Sequence, residues 1–150
     1  MSVPPTISHA VQQSQEWLKS LRDSAGLVDE TEALGVFRAV LHQLRDRLTV
    51  TESAQLAAQL PIFFRGVYYE GWVPAHVPDK TVRNQEQFYD KVAMRLLPKR
   101  LPPEPMVHSV FAILAHNLDP GEVSDVIDQL PSDLKKLWPL TARTFKERAR

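Results

Sequence analysis

Three side chains with metal-binding chemistry lie close together near the middle of the chain. Glu70, His76 and Asp79 fall within ten consecutive residues, and carboxylate oxygens and imidazole nitrogens are ordinary ligands for divalent cations. Tyr68 and Tyr69 precede them and could line the same cleft. The spacing allows a ligand or metal site formed by Tyr68, Glu70, His76 and Asp79, although such short acidic and histidine windows also arise by chance.

The sequence gives little support for catalysis or for a bound cofactor. It has no cysteine, which excludes a thiol nucleophile and cysteine-ligated zinc, and its five glycines form neither a P-loop nor a dinucleotide fingerprint. Its histidines form no zinc-binding pair at helical spacing. His42 and His116 fall on the polar sides of their predicted helices, so we expect both to be solvent-exposed. We predict no catalytic residue and no cofactor, and we favour a protein that is not an enzyme.

An internal repeat organises the elements that must position these side chains. The segment "VFRAVLHQLRDRLTVTESAQLAAQLP" ends at Pro61 and "MVHSVFAILAHNLDPGEVSDVIDQLP" ends at Pro131, so the two copies align without a gap at an offset of 70 residues. In each copy apolar residues recur at spacings of three and four, which is typical of amphipathic helices. A helix must stop near each Leu-Pro, because proline disfavours helical conformation at the residue before it.

A polar pair at the same place in each copy predicts where a new helix begins. Thr49 with Glu52, and Asp119 with Glu122, have the spacing of a capping box. We predict an all-α fold in a single domain over 1–150. It is a pseudo-symmetric helical bundle built from two tandem copies of a four-helix unit, with repeats at about 7–72 and 82–138 and a C-terminal helix or tail at 140–150.

Two long stretches of the chain carry a family resemblance. "LRDRLTVTESAQLAAQLPIFFRGVYYEGW" and "NLDPGEVSDVIDQLPSDLKKLW" resemble the bacterial family catalogued as domain of unknown function 2267. The resemblance runs roughly from Trp17 to Trp138. It implies a bacterial all-α protein, and it supplies no activity and no functional residues to transfer.

The helix after Pro61 differs from its counterpart in the second copy. "PIFFRGVYYEGW" has large apolar groups on more than one side, whereas "PSDLKKLW" is simply amphipathic. Gly66 costs stability inside a helix, which is easiest to understand if another backbone or a ligand comes close. The extra apolar surface is either covered by the other half of the chain or by the linker, open as a partner-binding surface, or part of a small-molecule pocket. The candidate partner-binding residues are Ile62, Arg65, Gly66, Tyr69 and Trp72.

Charge and hydropathy limit the classes of partner. The formal net charge is zero, with 18 basic and 18 acidic residues, so no overall field attracts nucleic acid. The basic tail "TARTFKERAR" carries Arg143, Lys146, Arg148 and Arg150; we expect a frayed, solvated helix and consider nucleic-acid binding unlikely. With no leader-like start and no long apolar run, we expect no membrane association and a cytoplasmic location.

The leading prediction is a non-enzymatic protein-interaction or regulatory module that uses the helix after Pro61. A homodimer would use the same surface. The alternative is a small-molecule or metal-binding protein with its site in the cleft between the two repeats.

Overall fold

The computed structural model describes residues 2–148, and that part of the chain is helical with no strand. The all-α prediction is therefore confirmed. A single 3-10 turn, Pro74–His76, lies in the connection between α4 and α5. The α-helices are α1 (Pro5–Ala25), α2 (Glu30–Arg47), α3 (Val50–Gln59), α4 (Ile62–Tyr69), α5 (Gln85–Leu96), α6 (Pro103–Asn117), α7 (Pro120–Asp128), α8 (Ser132–Lys135), α9 (Leu140–Arg143) and α10 (Phe145–Arg148).

Short polar side chains begin α3 and α7 where the sequence predicted. The Thr49 side chain accepts a hydrogen bond from the backbone N–H of Glu52 at 3.2 Å, and Asp119 accepts from that of Glu122 at 3.1 Å. The Glu52 side chain does not return this bond to Thr49: its Oε2 accepts from Gln129 Nε2 at 3.1 Å. The cap that starts α3 is therefore one-sided, and Glu52 faces α7.

The core is built around α2, which packs against α1, α4, α5 and α6. α3 packs against α4 and α7, and α9 and α10 pack against α7. Leu41 and Leu44 of α2 are fully buried, so the apolar stripe read from the sequence does face the interior. Close aromatic pairs join the helices, with centroid distances of 4.6 Å for Phe37–Phe64, 5.3 Å for Trp17–Phe64 and 4.4 Å for Phe111–Trp138.

The C-terminal segment is docked, which differs from the frayed helix expected from its sequence. Lys146 lies 3.4 Å from Asp125 and also pairs with Asp128, both on α7. Arg148 donates to the carbonyl of Thr141 at 2.7 Å. Lys146 thus finds acidic partners on α7, whereas Arg148 binds within the C-terminal segment itself. Arg150, part of the same prediction, lies outside the described residues.

Within residues 2–148 we find no helix that is both long and apolar enough to cross a membrane.

Candidate functional site

Four of the candidate partner-binding residues lie on the short helix α4, and the fifth, Trp72, lies in the turn after it. Helix α4 follows Pro61, whose ring fixes the backbone before the first helical turn. It ends at Tyr69, and two residues later Gly71 takes a left-handed conformation with φ of 68°, which glycine adopts without steric cost. This turn reverses the chain into the connection that leads to α5.

One side of α4 is firmly built into the core. Phe64 and Tyr68 are fully buried and Val67 is nearly so. The Phe64 ring contacts Trp17 of α1 and Phe37 of α2. Burying a side chain of this size is worth roughly 1.5–3 kcal/mol, so these contacts hold α4 in place while its other side points outward.

The outward side of α4 is open. Ile62 is 64% exposed, Phe63 is 44% exposed and Tyr69 is 38% exposed. A Cβ atom added at Gly66 would meet no atom within 4 Å. The interpretation in which the other half of the chain or the linker covers this surface is therefore wrong for residues 2–148. No backbone within those residues lies close to Gly66.

Two of the candidate residues have structural contacts of their own. Arg65 donates from Nε to the carbonyl of Ala57 at 3.0 Å and from Nη2 to the carbonyls of Ala58 and Leu60 at 3.2 and 3.1 Å. It therefore binds carbonyls at the end of α3, of which that of Ala57 also accepts from the backbone N–H of Leu60 at 3.1 Å. Trp72 is half-buried, and its ring centroid lies 5.4 Å from that of Tyr69. We define the α4 outer face as Ile62, Phe63, Gly66 and Tyr69.

Two polar residues of α2, which the sequence reading did not select, hold the end of α4. His42 Nε2 lies 2.6 Å from the carbonyl oxygen of Val67, and Arg45 Nη1 donates to the carbonyls of Tyr68 and Glu70 at 2.8 and 2.6 Å. Carbonyls at a helix C-terminus need partners, and that of Val67 also accepts from the backbone N–H of Glu70 at 3.2 Å. The Arg45 side chain is only 3% exposed, so its hydrogen bonds to these carbonyls are shielded from solvent.

His42 is buried, which corrects the expectation of a solvent-exposed histidine; His116 is exposed as expected. Burial lowers the pKa of His42 below its ordinary value, although its bond to the Val67 carbonyl acts in the opposite direction. The sequence contains a signal for these residues. At the predicted offset of 70 residues, His42 and Arg45 correspond to Ala112 and Ala115, so polar groups stand at these positions only in the first of the two aligned segments.

The candidate ligand or metal residues do not form one site. The Tyr68 side chain is fully buried, and burial raises the pKa of its hydroxyl, while Glu70 pairs with Arg38 at 3.1 Å. His76 and Asp79 share a groove of about 180 Å³, which is smaller than most ligand pockets. Nowhere in residues 2–148 do three histidine, cysteine, aspartate or glutamate side chains lie close enough to hold a metal ion.

A larger groove of about 510 Å³ lies between α2 and the end of α5, and none of the four candidate ligand or metal residues lines it. Its cationic side chains are already engaged. Arg38 pairs with Glu70, Arg95 with Asp46, and Lys99 with Glu32 at 2.8 Å. These pairs leave little charge to recruit an anionic ligand, and the groove gives no reason to assign one.

The described residues 2–148 form an all-α fold, and comparison with known families places the chain further. The chain belongs to the family described as "Uncharacterized conserved protein (DUF2267)", which matches residues 14–137. The resemblance read from the sequence is thus confirmed. A comparison with curated proteins gave no match.

Proposed function

We propose that this protein is a non-enzymatic interaction or regulatory module that binds a short apolar segment of a partner protein on the α4 outer face. The observation that carries the proposal is the exposure of Ile62, Phe63 and Tyr69 on one helix whose opposite side is anchored in the core. Exposed aromatic and aliphatic groups held rigidly are favourable for binding, because little conformational entropy remains to be lost.

The size of the α4 outer face favours a short segment over a second copy of this chain. A stable protein–protein interface uses about 20–30 residues on each side. The α4 outer face consists of four residues on a helix of eight, which suits a single helix or extended segment of a partner. The open space over Gly66 would let the partner backbone approach closely.

The difference between the repeated segments also supports this assignment. We propose that the chain is two copies of a four-helix unit, α1–α4 and α5–α8, packed about an approximate two-fold axis. In the second unit, α8 is four residues long and Ser132 and Asp133 replace Ile62 and Phe63. Only the first unit has an apolar outer face, so the core that the two units have in common does not require it. We therefore assign this face to the recognition of a partner.

The experiment compares binding by the wild-type chain with that by a double variant, Ile62→Ser and Tyr69→Ala. The control is Met94→Ser, because Met94 is 66% exposed on α5 and its loss removes apolar surface elsewhere. We expect a protein captured from native cells, then purified, to bind the wild type and Met94→Ser equally. Its affinity for the double variant should fall at least tenfold, as for residues at interface hot spots.

Two results would contradict the proposal. The purified partner could bind the folded double variant as tightly as the wild type, which would place the contact elsewhere. Sedimentation could instead show that the wild-type chain forms a dimer that the double variant does not form, which would assign the α4 outer face to self-association.

A further inference from the structure

Glu52 and Glu122 face each other where α3 packs against α7. They occupy the same position in the two copies of the repeat, at the offset of 70 residues. Glu52 is 4% exposed, and helices α3 and α7 are in direct contact. The repeat thus brings one carboxyl group from each copy to a common boundary, where Glu52 is buried and Glu122 is half-buried; we call it the α3–α7 seam.

Each of the two carboxyl groups has one oxygen without a protein partner. The Oε1 atoms of Glu52 and Glu122 are both buried, and while both groups are charged they accept no hydrogen bond from the described part of the chain. The second oxygen of Glu52 is satisfied, because it accepts from Gln129 Nε2. Two adjacent carboxylate oxygens repel each other, whereas a carboxylic acid donates a hydrogen bond to a carboxylate.

The surrounding charges do not neutralise this pair. Among residues 2–148, no lysine, arginine or histidine forms an ion pair with Glu52 or Glu122. Asp125 of α7 adds negative charge, and Lys146 of α10 is paired with Asp125 and Asp128. The arginines of the neighbouring helices bind backbone carbonyls: Arg65 of α4, Arg45 of α2 and Arg143 of α9. His116 of α6 lines a separate groove.

The balance of these effects favours a bound proton. Burial, followed by the hydrogen bond and the negative charge of Glu122, raises the pKa of Glu52 from 4.5 to about 7. A proton on Glu52 can donate a hydrogen bond to the carboxylate of Glu122.

We propose that Glu52 and Glu122 share one proton across the α3–α7 seam, and that the seam is a pH-sensitive contact that loosens when this proton is lost. At acidic to neutral pH the shared proton gives a hydrogen bond between the two helices. Above neutral pH both carboxylates are charged within a poorly solvated boundary, and their repulsion favours separation of α3 from α7.

The sign of the effect follows from proton linkage. The folded state holds the proton to higher pH than the unfolded state does, so the stabilisation is complete below the ordinary glutamate pKa and is lost as pH rises through about 7. Opening of the seam releases the proton. The pKa of Glu52 is about 7 in the closed seam and returns to 4.5 when the seam opens. The equilibrium constant for opening the seam therefore rises about tenfold between pH 6 and pH 8.

The direct test is a carboxyl-carbon NMR titration of the full chain. We expect the Glu52–Glu122 pair to show a titration with its midpoint near neutral pH in the wild type. Replacing one partner, in Glu52→Gln, removes this titration, because the side-chain amide cannot lose a proton in this range. The control Glu147→Gln removes an exposed carboxylate on α10 and leaves the titration unchanged. If both glutamates titrate near 4.5 in the wild type, the proposal is overturned.

Amide hydrogen exchange tests the structural consequence. Protection factors in α3 and α7, corrected for intrinsic exchange, should fall about tenfold from pH 6 to pH 8 in the wild type. They should stay constant in Glu52→Gln, whose amide can donate to Glu122 at every pH. Protection that is independent of pH in the wild type contradicts a loosening seam, and this measurement does not depend on the folding of any variant.

Discussion

Replacing Arg45 with methionine tests how α4 is held in position. The Arg45 side chain is 3% exposed; it donates to the carbonyls of Tyr68 and Glu70 and pairs with Asp46 at 2.8 Å. Methionine has a similar apolar stem but no donor, so two carbonyls lose their partners. Asp46 keeps its pair with Arg95. Breaking a buried charged contact of this kind costs about 3–5 kcal/mol. At about 2–4 °C per kcal/mol for a chain of this size, Tm should fall by about 6–20 °C.

Arg38→Met is the matched control, because Arg38 also contacts Glu70. Its Nε lies 3.1 Å from Glu70 Oε1, and the two side chains are 40% and 50% exposed. Exposed ion pairs contribute about 0–1 kcal/mol, so Tm should fall by less than about 4 °C. Thermal unfolding followed by far-UV circular dichroism measures both variants. Equal losses, or a wild-type Tm for Arg45→Met, would refute the assignment of Arg45 as the buried partner of these carbonyls.

Substitutions at Gly66 and Leu44 and the titration of His42 test other parts of the structure. Gly66→Ala should raise the free energy of unfolding by about 0.5–1 kcal/mol in chemical denaturation, because a Cβ there meets no neighbour. Gly35→Ala should have the same effect, because Gly35 is equally open within α2. A loss of stability in either variant would contradict the open geometry. Leu44→Ala, at a fully buried core position, should cost about 2–5 kcal/mol in the same assay, whereas a loss below 1 kcal/mol would mean that the site is not packed as described. The imidazole of His42 should titrate below 6.5 by proton NMR, since burial lowers its pKa. The stability gained from burying the neutral imidazole is present above pH 6.5 and is lost as the pH falls. A midpoint at or above 6.5 would contradict its buried contact with the carbonyl of Val67.

The pH effects of His42 and Glu52 have opposite signs, which matters for any measurement on the whole molecule. The His42 contribution weakens the fold on acidification, and the Glu52 contribution weakens it when the pH rises through about 7. A global Tm-against-pH curve mixes both effects. The comparison of wild type with Glu52→Gln isolates the second effect, and His42 on α2 is unaffected by that substitution.

The helical elements could be predicted from local signals in the sequence. Proline at position 61 and the capping residues Thr49 and Asp119 act on the backbone next to them, so their consequences are readable without knowing the fold. The starts of α3, α4 and α7 therefore lie where the pattern placed them. The packing of the helices against one another depends on contacts between distant segments and was not determined by the same signals.

The site was only partly predictable, because its contacts join distant parts of the chain. A helical wheel treats His42 and Arg45 as polar and places them toward solvent, yet both bind carbonyls of α4 that lie at least 23 residues away. Arg65 was selected for its type as a partner-binding residue and instead satisfies the end of α3. The exposure of Ile62 also could not be read locally, since an apolar residue is equally common under a neighbouring helix.

The most direct test of the α4 outer face is site-specific photocrosslinking in native cells. A photoreactive phenylalanine analogue replaces Ile62 in one variant and Met94 in the other, since both side chains are exposed to nearly the same degree, 64% and 66%. Binding of a partner segment at α4 predicts a discrete adduct with one protein from position 62 and none from position 94. The absence of an adduct at position 62, or the same adduct from both positions, would contradict a recognition role for this surface.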